Sequence, residues 1–132
     1  MDRKFVLTSL IYAVIGMALG IFMAASQNHG QMVSHAHIML AGFVVTFIYG
    51  LCHKLWLDSD GTLLAKIQFY THQVGVAIMS IGLFLLYGNF VKLEVIDPIL
   101  ALSSIAVLFG MLLMGVLFIK SGNPQRGSLP GA

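Results

Sequence analysis

Charge is what this chain has least of. Only 9% of its 132 residues are Asp, Glu, Lys or Arg, against roughly 25% in soluble domains. So few charges cannot cover a globule that faces water on every side. Cysteine is nearly absent as well. Cys52 stands alone, which excludes an intrachain disulfide, a paired-cysteine zinc site and a covalent haem motif. It reads as a small buried apolar residue. The net charge of +2 comes without a basic block, so nucleic acid is not an expected partner. No Ser/His/Asp set or phosphate loop supports a hydrolase or a kinase. The five acids, Asp2, Asp58, Asp60, Glu94 and Asp97, read as lying outside the apolar runs. That argues against a proton channel built on intramembrane carboxylates. The chain on its own does not read as an enzyme.

Apolar residues make up 58% of the sequence, and they fall into four runs. The expected spans are about 5–25, 34–56, 63–87 and 98–119, each near the roughly 20 residues that cross a bilayer core. The lipid bilayer is the first partner this implies. The linkers carry turn residues: Gln27-Asn-His-Gly30, Asp58-Ser-Asp-Gly61 and Gly88-Asn89. Short linkers force neighbours antiparallel. Asp97-Pro98 reads as a helix start, with Asp97 as N-cap and Pro98 in the first helical position. The expected fold is an all-α integral membrane protein, an antiparallel four-transmembrane-helix bundle over 1–120. A loose tail over 121–132, rich in Gly, Pro and Ser, would follow.

Arg3, Lys4, Lys54, Lys66, Lys120 and Arg126 fall on one side of this bundle, and only Lys92 on the other. The positive-inside rule then makes both termini cytoplasmic. The 26–34 loop would be periplasmic, in a bacterial inner membrane. The N-terminal Met-Asp-Arg-Lys with its apolar run has the look of a signal peptide. The run of about 20 residues exceeds the usual 7–15, which favours a retained helix.

Small and polar residues mark helix contacts in lipid. On span one, Ala13, Gly16, Gly20 and Ala24 form a stripe, most simply a packing seam. On span two, His35, Met39, Gly42, Thr46, Tyr49 and His53 recur at steps of three and four. On span three the line is Gln68, His72, Gly75, Met79 and Gly82. On span four it is Ser103, Gly110 and Met114, or else Ser104, Met111 and Gly115. Most of the eight methionines read as gap-filling.

Five histidines carry the chemistry: His29, His35, His37, His53 and His72. His53 sits beside Lys54 and Trp56 and reads as interfacial, with its ring tip in water. His29 reads as a solvated loop residue and a spare ligand. His35 and His37 mark the outer mouth of span two, about 200° apart around the helix at about 100° per residue. They are either an interfacial pair or ligands. His72 lies about 14 Å into span three, near mid-membrane. It is a ligand, part of a proton path, or an imidazole bonded to Thr46, Tyr49 or Gln68.

Facing imidazoles in a dry bundle suit haem iron, and glycines such as Gly42 and Gly75 let a porphyrin approach. Antiparallel packing sets His72 level with about residue 47, so His37 would stand about 15 Å away along the normal. Three ligand sets stay open. They are His37 or His35 with His72, His72 with Met114, and an outer haem or metal held by His35, His37 and His29, within one chain or across two. Imidazole also suits copper.

The segment from Ser34 to Val45, Ser-His-Ala-His-Ile-Met-Leu-Ala-Gly-Phe-Val-Val, with Tyr49-Gly50 beyond it, resembles the second helix of subunit-I-like members of the haem-copper oxidase superfamily. These include short four-helix homologues. It is also similar to the His-Ala-His motif of NnrS-type haem- and copper-containing membrane proteins. Ala65-Lys-Ile-Gln-Phe-Tyr-Thr-His-Gln-Val-Gly75 resembles the following helix of the short homologues. The resemblance implies a low-spin haem with its axial ligand at His37 or His35. Four spans are far fewer than a full oxidase subunit has, and no second histidine cluster stands ready for a copper centre. The implied function is therefore b-type cytochrome-like electron transfer, haem carriage or diatomic-gas binding, with haem b as cofactor. A copper protein using the outer histidines, and a structural or assembly subunit, are the alternatives. A homo-oligomer or a respiratory-type complex is the expected setting.

Overall fold

The computed structural model describes residues 1–57 and 61–122. Among them every regular element is helical. We number the helices α1 (Asp2–Ser26), α2 (Met32–Leu55), α3 (Leu63–Tyr87) and α4 (Leu93–Ser121). All four are long and apolar enough to cross a membrane. Residues 58–60, with Asp58 and Asp60 of the expected linker, and the tail beyond Gly122, with Arg126, lie outside the described residues.

Local chemistry explains most of the boundaries. α1 stops at Gln27, which takes a left-handed conformation with φ 54°, a common way to end a helix. α3 starts at the Thr62 N-cap, whose hydroxyl accepts the Ala65 amide at 3.2 Å, as capping requires. α4 begins earlier than the sequence suggested. Its N-cap is Lys92, and Pro98 lies inside the helix. Asp97 is therefore no cap, and Glu94 and Asp97 belong to the start of α4 rather than to the linker. Extended backbone at Lys92, with ψ 146°, turns the chain before Asp97 is reached. Glu94 then complements the positive helix end.

The α1–α2 and α3–α4 hairpins are tight, and α2 against α3 is a looser contact. Glycines set the close approaches. A Cβ on Gly16 would fall within 3.1 Å of Met39 and Ile38 side-chain atoms, and one on Gly20 would meet the His35 ring at 3.1 Å. The span-one stripe is thus a packing seam, as its spacing implied, although Ala24 is exposed. On the other hairpin, Gly75 faces Ser103, Ala106 and Val107, and Gly82 faces Leu100. α3 is the most enclosed helix, with half of its apolar window buried. The outward faces of α1 and α4 carry exposed Leu, Ile, Val, Met and Phe.

One feature had no signature in the sequence. α2 is α-helical over Met32–His37, π-helical over Ile38–Val45, and α-helical again over Thr46–Leu55. Wider i→i+5 winding of this kind recurs at functional sites.

Candidate imidazole site

His72 is fully buried on α3. Its backbone rests on α4, where a Cβ on Gly110 would stand 3.1 Å from the His72 Cβ. Its ring reaches into α2. Nε2 lies 3.2 Å from the Ala41 carbonyl oxygen and 3.2 Å from Thr46 Oγ1. A carbonyl only accepts, so Nε2 carries the proton and donates it to Ala41. Thr46 donates its hydroxyl to the same oxygen at 3.1 Å. Both donors converge on a carbonyl of the π segment, and groups that intrude on the backbone ladder distort it in this way. With Nε2 protonated, Nδ1 is the lone-pair nitrogen, and it is buried without a hydrogen-bond partner. Tyr49 meets the ring edge-on at 4.9 Å and donates its hydroxyl to Met111 Sδ at 3.2 Å.

The outer histidines have the opposite tautomer. His35 Nδ1 lies 2.8 Å from the Gly16 carbonyl oxygen, and His37 Nδ1 lies 2.8 Å from the Val33 carbonyl oxygen. Each Nδ1 must therefore be the donor, which leaves Nε2 as a bare base on both rings. Metal-ligating histidines are commonly oriented this way, with the far N–H given to a backbone carbonyl. The two rings point apart. His35 lies against Gly20 of α1, whereas His37 is half-buried and bonded within its own helix. His29 is exposed in the loop between α1 and α2.

The expected constellation is therefore assembled only in part. His72 sits level with Thr46, as antiparallel packing required. His35 and His37 stand at least nine residues up α2 from Thr46, on the far side of the whole π segment. Across α4 the residue facing His72 is Gly110, one turn before Met114. Met114 belongs to the cluster of Phe5, Tyr49, Phe69 and Leu117. Among the described residues no group of three or more His, Cys, Asp or Glu side chains is arranged to hold a metal ion. Gly42 and Gly75, expected to cradle a porphyrin, face other helices here. A Cβ on Gly42 would be 2.6 Å from the Tyr12 ring, and Gly75 abuts α4.

His53 corrects an expectation. It is buried rather than tipped into water, and it stacks on Phe5 at 5.1 Å. Phe5 is fully buried and also meets Tyr49 and Phe69. Nothing in residues 1–10 distinguished this phenylalanine from its exposed apolar neighbours Leu7 and Leu10.

α3 carries further buried polar atoms, on Gln68 of the expected inward line and on Gln73 and Ser80, which the sequence did not single out. Gln68 donates Nε2 to the Gly110 carbonyl at 3.2 Å, but its Oε1 is unpartnered. Both amide atoms of Gln73 and the Ser80 hydroxyl are buried and unpartnered too. Ser9, Ser26, Ser103, Ser104 and Ser121 all return their hydroxyls to their own helix. Ser80 does not. It borders an apolar groove of about 340 Å³ between Tyr12 and Leu19 of α1, Ile38 of α2, and Phe84 of α3.

Comparison of the chain with models of known protein families, with curated proteins and with solved structures gives no match.

Proposed function

We propose that this chain is a small membrane haem-binding protein, b-type cytochrome-like, serving electron transfer or diatomic-gas binding. The observation that carries the reading is the state of the outer rings. His35 and His37 each give Nδ1–H to a backbone carbonyl and keep Nε2 bare. That donor chemistry fits haem iron. The resemblance of the Ser34–Val45 and Ala65–Gly75 segments to subunit-I-like helices supports the same reading. His37 or His35 would hold the group, and the unpartnered Nδ1 makes His72 the deeper alternative. Bound haem supplies one-electron chemistry, or an open iron position for a gas. The chain's own part is to orient imidazole at the edge of an apolar bundle. Gly42 and Gly75 are already in contact with other helices, so a porphyrin clamped between α2 and α3 would require those contacts to open.

The proposed setting is a bacterial inner membrane, with both termini cytoplasmic and the 26–34 loop periplasmic. The described cations support this orientation. Antiparallel helices gather Arg3, Lys4, Lys54, Lys66 and Lys120 at one end and leave Lys92 at the other. A homo-oligomer or a respiratory-type complex would complete a site that one chain leaves open.

The test is an absorption spectrum of protein purified under ample haem supply, oxidised and reduced. A Soret band that weakens in His37→Ala or His35→Ala is expected. A colourless preparation overturns the reading. The same bare Nε2 atoms favour copper as the second reading. Metal analysis showing stoichiometric copper without porphyrin would move the assignment there.

A further inference from the structure

A second groove, of about 610 Å³, lies at the end of the bundle that holds the N-terminus of α1 and the C-terminal part of α2. Arg3, Lys4 and Lys54 line it together with Leu7, Leu10 and Leu51. Gly50 forms part of the wall, and a Cβ there would press on Val6 and Phe5 at 3.0 and 3.1 Å. Cations and apolar side chains are thus brought together by two different helices. Asp2 is the groove's one acid, and its carboxylate lies 3.8 Å from the Met1 amino group. Among the described residues none of the three cations is in an ion pair.

We infer that this groove is a binding site for an anionic phospholipid. The phosphate head takes the cations of Arg3, Lys4 and Lys54. The acyl chains follow the exposed faces of Leu7, Leu10 and Leu51 into the bilayer. Charge decides the occupant. Basic pockets between spanning helices select anionic head groups, while a zwitterionic lipid brings a cation of its own against three others. A second copy of the chain docking by the same end would bring like charge to like charge. Free phosphate leaves the leucine face unused. The inference needs the helices to span a membrane, but it is independent of the haem assignment.

The test uses the full chain in detergent with equal amounts of phosphatidylglycerol and phosphatidylcholine, and reads bound lipid by native mass spectrometry. Phosphatidylglycerol is expected to dominate. In an Arg3→Gln/Lys4→Gln/Lys54→Gln variant its retention falls, roughly fivefold for each cation removed, and phosphatidylcholine retention does not change. If the triple variant loses helicity by circular dichroism, Lys54→Gln alone carries the test with a roughly fivefold fall. Lys66→Gln, at the same end but outside the groove, is expected to behave as wild type. Equal retention of the two lipids overturns the site, as does an equal effect of Lys66→Gln. Displacement of the lipid by inorganic phosphate overturns the lipid assignment.

Discussion

His72 donates its Nε2 proton to the Ala41 carbonyl across 3.2 Å, at the point where α2 winds as a π-helix. Thr46 donates to the same oxygen, so one carbonyl ties α3 to α2. This is the polar centre of the otherwise loose contact between the two hairpins. Replacing His72 by Ala removes a buried donor and leaves a void. The expected cost is about 2–4 kcal/mol, from the range for large buried side chains. Thr46→Val keeps the shape and loses only the hydroxyl, at about 1 kcal/mol. Unfolding of the purified protein in detergent measures both. If His72→Ala costs less than Thr46→Val, the bond is not a tie between hairpins.

The α1–α2 seam makes a sharper prediction. Gly16→Ala puts a methyl group into the Met39 thioether and is expected to destabilise by about 1–3 kcal/mol, as overpacking does. Shortening Met39 to Ala in the same chain should recover part of that loss, because the two residues share the contact. Gly115 has nothing within 4 Å of its would-be Cβ. Gly115→Ala should therefore be neutral or stabilising by up to about 1 kcal/mol. A double-mutant cycle at 16 and 39 that shows simple additivity would contradict the packing.

Ser80 offers a test in the stabilising direction. Its hydroxyl is buried beside an apolar groove and bonds to nothing. Ser80→Ala removes an unsatisfied polar group, so stability should stay level or rise by about 1 kcal/mol. A loss of more than about 1 kcal/mol would contradict an unpartnered hydroxyl, and thermal unfolding reads the difference.

Phe5 holds the charged end of the bundle together. It is fully buried, with ring neighbours at 4.8 Å (Phe69), 5.1 Å (His53) and 5.9 Å (Tyr49). Phe5→Ala should cost about 3–5 kcal/mol, the range for a deleted core aromatic. Leu7→Ala, at 63% exposure on the same helix, should cost less than about 1 kcal/mol in detergent. Similar costs at the two positions would contradict the burial of Phe5.

Composition and periodicity determined which segments form helices long and apolar enough to cross a membrane, because an apolar chain without water has few alternatives to a helix that satisfies its own backbone. They also determined the inward line His35, Met39, Gly42, Thr46, Tyr49 and His53, since steps of three and four share a helix face. The level pairing of His72 with Thr46 followed from antiparallel neighbours. The start of α4 did not, because Asp97-Pro98 is a plausible cap and only the turn at Lys92 showed that it was unused. Tertiary structure alone decided what each imidazole does. Which ring nitrogen keeps its lone pair depends on which carbonyl the other nitrogen meets, and Ala41, Gly16 and Val33 are backbone groups with no mark in the side-chain sequence. The π segment is of the same kind. Its hydropathy is that of any apolar helix, and its winding is recognised only from where the backbone carbonyls and the α3 donor come together.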